Sequence, residues 1–205
     1  MLRYAAGGRR VRSIPPSNRA GRRSRGASRP GFSPAYGGLQ AIHFSAGGNR
    51  REVLQIDLKR LSERFILFYS GRQRNSGINN WDVMKRHIDG DGGVYKAFEG
   101  IVTAANGMRE ALLAGDFDMI DALLESEWAN RRELSDGITT PEIEEIVQAA
   151  RSLGAGAAKV CVAGGGGCVL MTVPEGRRKD IQAKLLHSGV KIIDYEIAGQ
   201  GLKIN

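Results

Sequence analysis

Two short apolar segments early in the chain predict β-strands. Residues 36–44, which read YGGLQAIHF, alternate apolar and polar positions, and Gly47 and Gly48 close them. Alternation with a period of two is typical of a strand with one buried face. Residues 65–69 (FILFY) form a continuous apolar run, as buried strands do, and Gly71 ends it.

A long helical region is predicted from about Asn79 to Leu134. The glycine-rich cluster IDGDGG at residues 88–93 interrupts it and predicts a turn. The same cluster does not fit a calcium loop, because the third acidic position, the correctly placed glycine and the closing glutamate are missing. Beyond the turn, Gly115 occupies a helix C-terminal position and Asp116 an N-cap position, which together predict an antiparallel helical pair.

Apolar residues at helical spacing predict the buried faces of two helices. The second of these helices is expected to begin at Thr140 as N-cap and Pro141 as first residue, and to end at Gly154. The residues expected in the core are Ile120, Leu123, Leu124 and Trp128 in the first helix, and Ile143, Ile146, Val147 and Ala150 in the second.

Residues 157–173 (AAKVCVAGGGGCVLMTV) predict a hairpin whose loop is four consecutive glycines. Each glycine is expected to cost about 0.5–1 kcal/mol relative to alanine in ordinary structure, so the bare backbone needs a reason. Glycine N–H groups can converge on an anion, and no Cβ blocks a phosphate. The loop is therefore either an anion site or a flexible tip. The phosphate-proximal candidates are Ala163, Gly164, Gly165, Gly166 and Gly167.

Two well-known phosphate motifs do not fit this loop. A Walker loop ends in Gly-Lys-Ser/Thr and opens a helix, whereas Cys168 and a strand follow here. A dinucleotide fingerprint also needs a helix after its glycines, and GAGAAK at residues 154–159 precedes a strand. Any anion site at this hairpin would thus need partners from elsewhere.

The remaining C-terminal pattern completes an α+β fold. Residues 174–189 predict a short helix with Ile181, Leu185 and Leu186 inward, and residues 190–205 predict strand with a tight turn at residues 199–201. Helices on one face of an antiparallel sheet give a ferredoxin-like outline.

A few further residues could carry chemistry. Arg72 and Arg74, in the loop after FILFY, could bind a substrate phosphate bidentately or could be ordinary solvated arginines. If Ala163 pairs with Cys168 across a four-residue loop, Cys161 faces Leu170, so the two sulfurs lie diagonally and reduced thiols are expected. His43, His87 and His187 are dispersed without ligand spacing, and no metal site is expected.

The net charge of +8 belongs to the N-terminal segment alone. Residues 1–51 carry eleven arginines, with no lysine and no acidic residue before Glu52. Residues 1–34, interrupted by four prolines, are expected to form no core, leaving one domain at residues 35–205. This tail could be an organellar leader, a polyanion-binding arm or a stretch translated out of frame.

No apolar run is long enough for a membrane helix or a signal peptide, so a cytoplasmic location is expected.

Residues 133–171, preceded by FILFYSGRQRNS and followed by a short helix and strands, resemble the C-terminal half of the GHMP kinases, and within them the sugar and heptose-phosphate kinases. The resemblance covers about residues 35–205. It implies ATP-dependent transfer of a phosphoryl group to a sugar hydroxyl, with Mg²⁺ assisting. It also implies that Ala163–Gly167 lies beside the phosphate-binding loop, and that ATP and a sugar phosphate are the small-molecule partners. A homo-oligomer and a pairing with a separate N-terminal half are the open alternatives for a protein partner.

The chain departs from the family pattern in two places. The nucleotide loop P-x-x-G-L-G-S-S has no counterpart, and the position of the family's catalytic aspartate falls at about Pro30. The chain is therefore expected to be inactive, or nearly so, alone, with no catalytic residue to assign. Two alternatives stay open: a small-molecule-binding regulatory domain, and nucleic-acid binding through the arginine-rich tail, for which the hairpin strands offer no stacking aromatic residues.

Overall fold

The computed structural model describes residues 36–45, 48–71, 76–161, 165–187 and 190–203, without the side chains at 76–79. The proposed tail, residues 1–34, lies outside the described residues. The helices are α1 Leu58–Glu63, α2 Ser76–Ile88, α3 Gly92–Ala114, α4 Met119–Arg132, α5 Pro141–Ser152 and α6 Arg178–His187. The strands are β1 Leu39–Ser45, β2 Gly48–Leu54, β3 Phe65–Tyr69, β4 Ala158–Val160, β5 Cys168–Thr172 and β6 Lys191–Ile193.

Four strands form an antiparallel sheet in the order β4-β5-β3-β6. Alternate side chains of this sheet, including Ile66, Phe68, Val169 and Met171, are fully buried on one face. They pack against α5 and α6 in the main hydrophobic core. The predicted α+β class, with helices covering an antiparallel sheet, is confirmed.

Helix α5 forms as its sequence predicts. The hydroxyl of Thr140 accepts a hydrogen bond from the N–H of Ile143 at 3.4 Å, and Pro141 begins the helix. Ile143, Val147 and Ala150 are buried against the sheet. Local capping and the apolar stripe thus agree on one orientation, which is what makes this helix predictable from sequence.

The helical region between the sheet strands also has its predicted turn. Asp91 caps α3 by accepting hydrogen bonds from Gly93 N at 2.8 Å and Val94 N at 3.2 Å. Gly115 ends α3 with φ +72°, as predicted. The predicted N-cap at Asp116 is wrong, since α4 begins at Met119. Phe117 is buried beside Ile120, Leu112 and Leu54, and inserting that side chain into the core delays the helix.

The sequence pattern did not predict β2 or α1, and it predicted a last helix and a last strand that are longer than those in the structure. Strand β2 is mostly polar, so its pairing with β1 has no alternation to reveal it, and α1 is only six residues long. The last helix begins at Arg178, and Leu186 is 57% exposed, so its predicted burial is wrong. Ile181 and Leu185, four positions apart, occupy the buried face, and Leu186 is rotated by about 100° from it. The final strand covers only Lys191–Ile193.

Candidate phosphate site at the sheet edge

Two loops meet at one end of the four-stranded sheet. Strand β3 ends at Tyr69 and leads into Ser70 and Gly71, and the loop before β5 ends at Gly167. The N–H of Ser70 donates a hydrogen bond to the carbonyl oxygen of Gly167 at 2.9 Å. The structure therefore joins the first residue of the arginine loop to the last residue of the glycine loop. Arg72, Arg74, Ala163 and Gly164 themselves lie outside the described residues.

The described part of the glycine loop has an unusual backbone. Gly165, Gly166 and Gly167 have φ values of +74°, +141° and +88°, which L-residues with a Cβ rarely adopt. Gly165 N donates to the carbonyl oxygen of Ile138 at 2.8 Å, which holds the loop against the segment before α5. The N–H groups of Gly166 and Gly167 donate to no described residue. Among the described residues, these two N–H donors therefore have no acceptor.

Space beside the loop is open where the glycine backbone comes closest to Ser70. A Cβ built on Gly167 would meet nothing within 4 Å among the described residues. The hydroxyl of Ser70, a residue only 8% exposed, is buried and has no hydrogen-bond partner in the described part of the chain. A buried polar group of this kind calls for an explanation, and an absent ligand is one. Unpaired donors, a hydroxyl and open space are what a phosphate group requires.

At the other glycine segment, which precedes β4, side chains of the protein occupy the space beside the backbone. A Cβ on Gly156 would overlap Asp121 Oδ1 and lie 2.6 Å from Thr172 Oγ1. Asp121 accepts hydrogen bonds from the N–H of Ala157, at 2.6 Å, and from the hydroxyl of Thr172. The GAGAAK segment is therefore a packing motif that ties α4 to strands β4 and β5.

Lys159 of the same segment belongs to an ion-pair cluster and not to the loop. Its ammonium pairs with Glu127 of α4, which also accepts from Arg131. Burial, together with the charge of Arg131, lowers the pKa of Lys159. Burial opposes ionisation of Glu127, but the hydrogen bond from Arg131 and the charge of Lys159 outweigh it and lower its pKa. This cluster holds β4 in place beside α4.

The predicted register of the hairpin is wrong by two residues. Val160 pairs with Val169, and Cys161 N donates to Cys168 O at 2.8 Å, so the two cysteines lie opposite each other. The connection spans residues 162–167 instead of four glycines, because Gly165 bonds to Ile138 and leaves the ladder. The cysteines are not joined by a disulfide. Burial, reinforced by the Cys168 sulfur, raises the pKa of Cys161 to about 11.

The histidines and carboxylates of the described ranges take part in contacts with one another and with the backbone. Within the described ranges, no group of three His, Cys, Asp or Glu residues could hold a metal ion. His43 instead contacts Glu52 at 2.9 Å, and His187 contacts the carbonyl oxygen of Ala183 at 2.6 Å. Side-chain hydrogen bonds from Arg109 and then His43 lower the pKa of Glu52 to about 2. That cluster fastens β2 to α3, away from the glycine loop.

Comparison with known proteins supports the resemblance. Residues 108–191 match the family model described as GHMP kinases C terminal. This match confirms the resemblance to the C-terminal half of the GHMP kinases that the sequence showed. The structure adds a fold match to mevalonate kinase of L. major in complex with R-mevalonate, with a TM-score of 0.66 and 20% identity over 82% of this chain and 51% of that one.

Particular relatives share different portions of the chain. D-glycero-alpha-D-manno-heptose 7-phosphate kinase of Campylobacter jejuni is 23% identical over 185 residues, 87% of this chain and 53% of its own length. Mevalonate kinase of Pyrococcus furiosus is 41% identical over 68 residues, 33% of this chain and 20% of its own. The chain thus spans about half the length of the first relative. In the described ranges, no helix is both long and apolar enough to cross a membrane.

Ser70 and Asp121 were missed by the sequence reasoning. Ser70 directly follows a buried strand at the edge where the glycine loop lies, which is a position that could have indicated it. Asp121 looks like an ordinary surface residue of a helix, and no sequence pattern links it to Gly156.

Proposed function

We propose that the chain supplies the C-terminal domain of an ATP-dependent kinase acting on a sugar phosphate of the heptose 7-phosphate type. The proposal rests on one observation: the glycine loop is bonded to Ser70 at the end of the two central strands, and the N–H groups of Gly166 and Gly167 and the Ser70 hydroxyl have no partner among the described residues, with open space beside Gly167. The name of the Campylobacter jejuni relative supports the substrate class.

The glycine loop would form one wall of the site that holds the transferred phosphate. Phosphoryl transfer depends mainly on positioning and on neutralising charge, and backbone N–H groups provide both without a side chain. Glycine lets the loop approach the phosphate closely, since no Cβ stands between them. The loop's tie to Ile138 would keep it in place when ligand binds.

Arg72 and Arg74 are proposed to bind the phosphate already carried by the sugar. They follow Ser70 in the sequence, and the N–H of Ser70 donates to the carbonyl oxygen of Gly167 of the glycine loop. A guanidinium can donate two parallel hydrogen bonds to a phosphate, which fixes its orientation. The acceptor hydroxyl of the sugar would then be placed near the glycine loop.

Alone, the chain is proposed to bind phosphates but to catalyse no transfer. Its sequence has no G-L-G-S-S nucleotide loop and has proline at about the position of the family's catalytic aspartate. Within the described residues no cluster of three or more His, Cys, Asp or Glu could hold a metal ion, and Mg²⁺ is proposed to enter with the nucleotide.

Ligand binding and turnover test the two parts of this proposal separately. Thermal unfolding of the purified chain should shift upward with ATP, tripolyphosphate and heptose 7-phosphate but not with adenosine. The double variant Arg72→Ala, Arg74→Ala should lose the heptose 7-phosphate shift and keep the tripolyphosphate shift. With ATP, Mg²⁺ and heptose 7-phosphate, turnover should stay at the blank level. Robust turnover would contradict the inactivity, and no shift with any phosphate would contradict the site.

A further inference from the structure

The hairpin of α2 and α3 exposes two apolar stripes. Both stripes have the spacing i, i+3, i+7, which places their members on one face of each helix. The six exposed side chains are Trp81, Met84 and Ile88 in α2, and Tyr95, Phe98 and Val102 in α3. We call this surface the hairpin face. Its two most exposed members are Ile88 at 75% and Trp81 at 66%.

The exposed residues of the face are distinct from the buried cluster of this region. Val94, Ala97 and Leu134 form a buried cluster beneath it, with Val83 and Ile101 packed alongside. The exposed stripe of α3 lies one residue further along than the buried one, so it is rotated by about 100° away from the core. The buried cluster is formed by α3 and Leu134, with Val83 contributed by α2, and the six exposed residues are additional to it.

The rings of the face are held in place before any partner arrives. His87 stacks on Tyr95 with ring centroids 4.5 Å apart and meets Phe98 edge-on at 5.5 Å. The turn is fixed by Arg86, which donates to Asp91 and to the carbonyl oxygen of Leu134, each at 2.8 Å. Ordering side chains in advance lowers the entropy lost on association.

The area and the charges of the face fit a second copy of this chain. The six side chains expose on the order of 600 Å² of mostly apolar surface, at the upper end of the largest patch on a typical monomer and near the roughly 800 Å² that each partner buries in a standard interface. Charged residues of both signs flank the stripes, namely Asp82, Lys85, Asp89, Lys96 and Glu99. A two-fold-related copy can pair such a mixed set with itself, whereas a uniformly charged partner cannot.

Other parts of the chain fit this face less well. Residues 1–34 have few large apolar residues, namely Met1, Leu2, Tyr4, Val11, Ile14 and Phe32, and these do not form a stripe.

We propose that the hairpin face is a self-association surface through which two copies of this chain pack their α2–α3 hairpins together. The inference goes beyond the kinase proposal and does not depend on it. Trp81 of each copy would be withdrawn from water in the dimer, while Trp128 is already 3% exposed in the monomer.

Sedimentation equilibrium of the full chain tests this proposal directly. The wild-type chain should dimerise reversibly, and Ile88→Glu and Val102→Glu should each weaken the dimer at least about tenfold, because a carboxylate would be buried in an apolar contact. Leu186→Glu and Leu202→Glu are matched controls on exposed leucines elsewhere and should leave the dissociation constant unchanged. Circular dichroism would verify that all four variants are folded.

Trp81 fluorescence provides an independent readout. In a Trp128→Phe background, emission should shift to shorter wavelength as the protein concentration rises, and Ile88→Glu should abolish the shift. A chain that stays monomeric at all concentrations would overturn the proposal. A dimer whose dissociation constant neither Ile88→Glu nor Val102→Glu changes would also overturn it. So would a Trp81 shift seen only on adding the separately produced N-terminal half of a heptose-phosphate kinase, which would assign the face to a domain contact.

Discussion

The glycines on the two sides of strand β4 have opposite surroundings. Before the strand, Gly156 is packed against Asp121 and Thr172, which occupy the space that a Cβ would need. After the strand, Gly167 has a left-handed backbone with φ +88° and empty space beside it. The first glycine is required by the fold, whereas the second leaves room that the described protein does not use. The same residue type therefore indicates packing in one loop and ligand access in the other.

The largest effect is expected from adding a methyl group to the packed glycine. Gly156→Ala should lower the free energy of unfolding by about 3 kcal/mol, because the new Cβ overlaps the carboxylate of Asp121. Urea denaturation monitored by circular dichroism measures this loss.

Removing the obstructing carboxylate provides the control for that prediction. Asp121→Ala alone should cost about 2 kcal/mol, since Ala157 N and the Thr172 hydroxyl lose their acceptor. The double variant should be less destabilised than the sum of the two single variants, because the clash disappears with the aspartate. Strict additivity would mean that the two residues are not in contact.

A smaller effect on stability is expected at the open glycine. Gly167→Ala should cost only about 1–2 kcal/mol, which is the strain of placing alanine in a left-handed conformation without a clash. The same substitution should abolish the thermal shift produced by tripolyphosphate, which Gly156→Ala would leave intact at temperatures where it is folded. If tripolyphosphate raised the unfolding temperature of both variants equally, the proposed difference between the two glycines would be contradicted.

The smallest effect concerns the thiol at the base of the glycine loop and involves no loss of stability. In a Cys168→Ser background, which removes the contribution of the Cys168 sulfur but not the burial, alkylation of Cys161 at pH 8 should be slower than that of an exposed thiol, because burial still raises its pKa. The rate should rise about tenfold per pH unit up to pH 10. An alkylation rate that stops rising below pH 9 would contradict the burial of Cys161 and would show that the open space beside Gly167 extends to this thiol.

These contrasts also show what could be predicted from sequence. Helix α5 was predictable because Thr140, Pro141 and Ile143 give the cap, the first turn and the buried face within four residues. The hairpin register was not, because a single contact between Gly165 and Ile138, 27 positions apart, lengthens the loop. The packing role of Gly156 likewise depends on Asp121, which approaches it only after α4 has docked on the sheet.

For the candidate site, the sequence identified the glycines but not their partner. Four consecutive glycines required an explanation, and an anion site was the leading one. Ser70 was overlooked because serine after a strand is common, and only its burial without a hydrogen-bond partner distinguishes it. The roles of Arg72 and Arg74 stay predictions.

The most direct test of the phosphate site is a titration of Mg²⁺-ATP into selectively glycine-labelled protein, followed by two-dimensional ¹⁵N–¹H NMR. Single substitutions would assign the amide signals of Gly154, Gly156, Gly166 and Gly167. The site predicts saturable shifts at Gly166 and Gly167 with ATP and tripolyphosphate, none with adenosine, and unchanged signals at Gly154 and Gly156. Absent shifts, or equal shifts in both glycine segments, would contradict it.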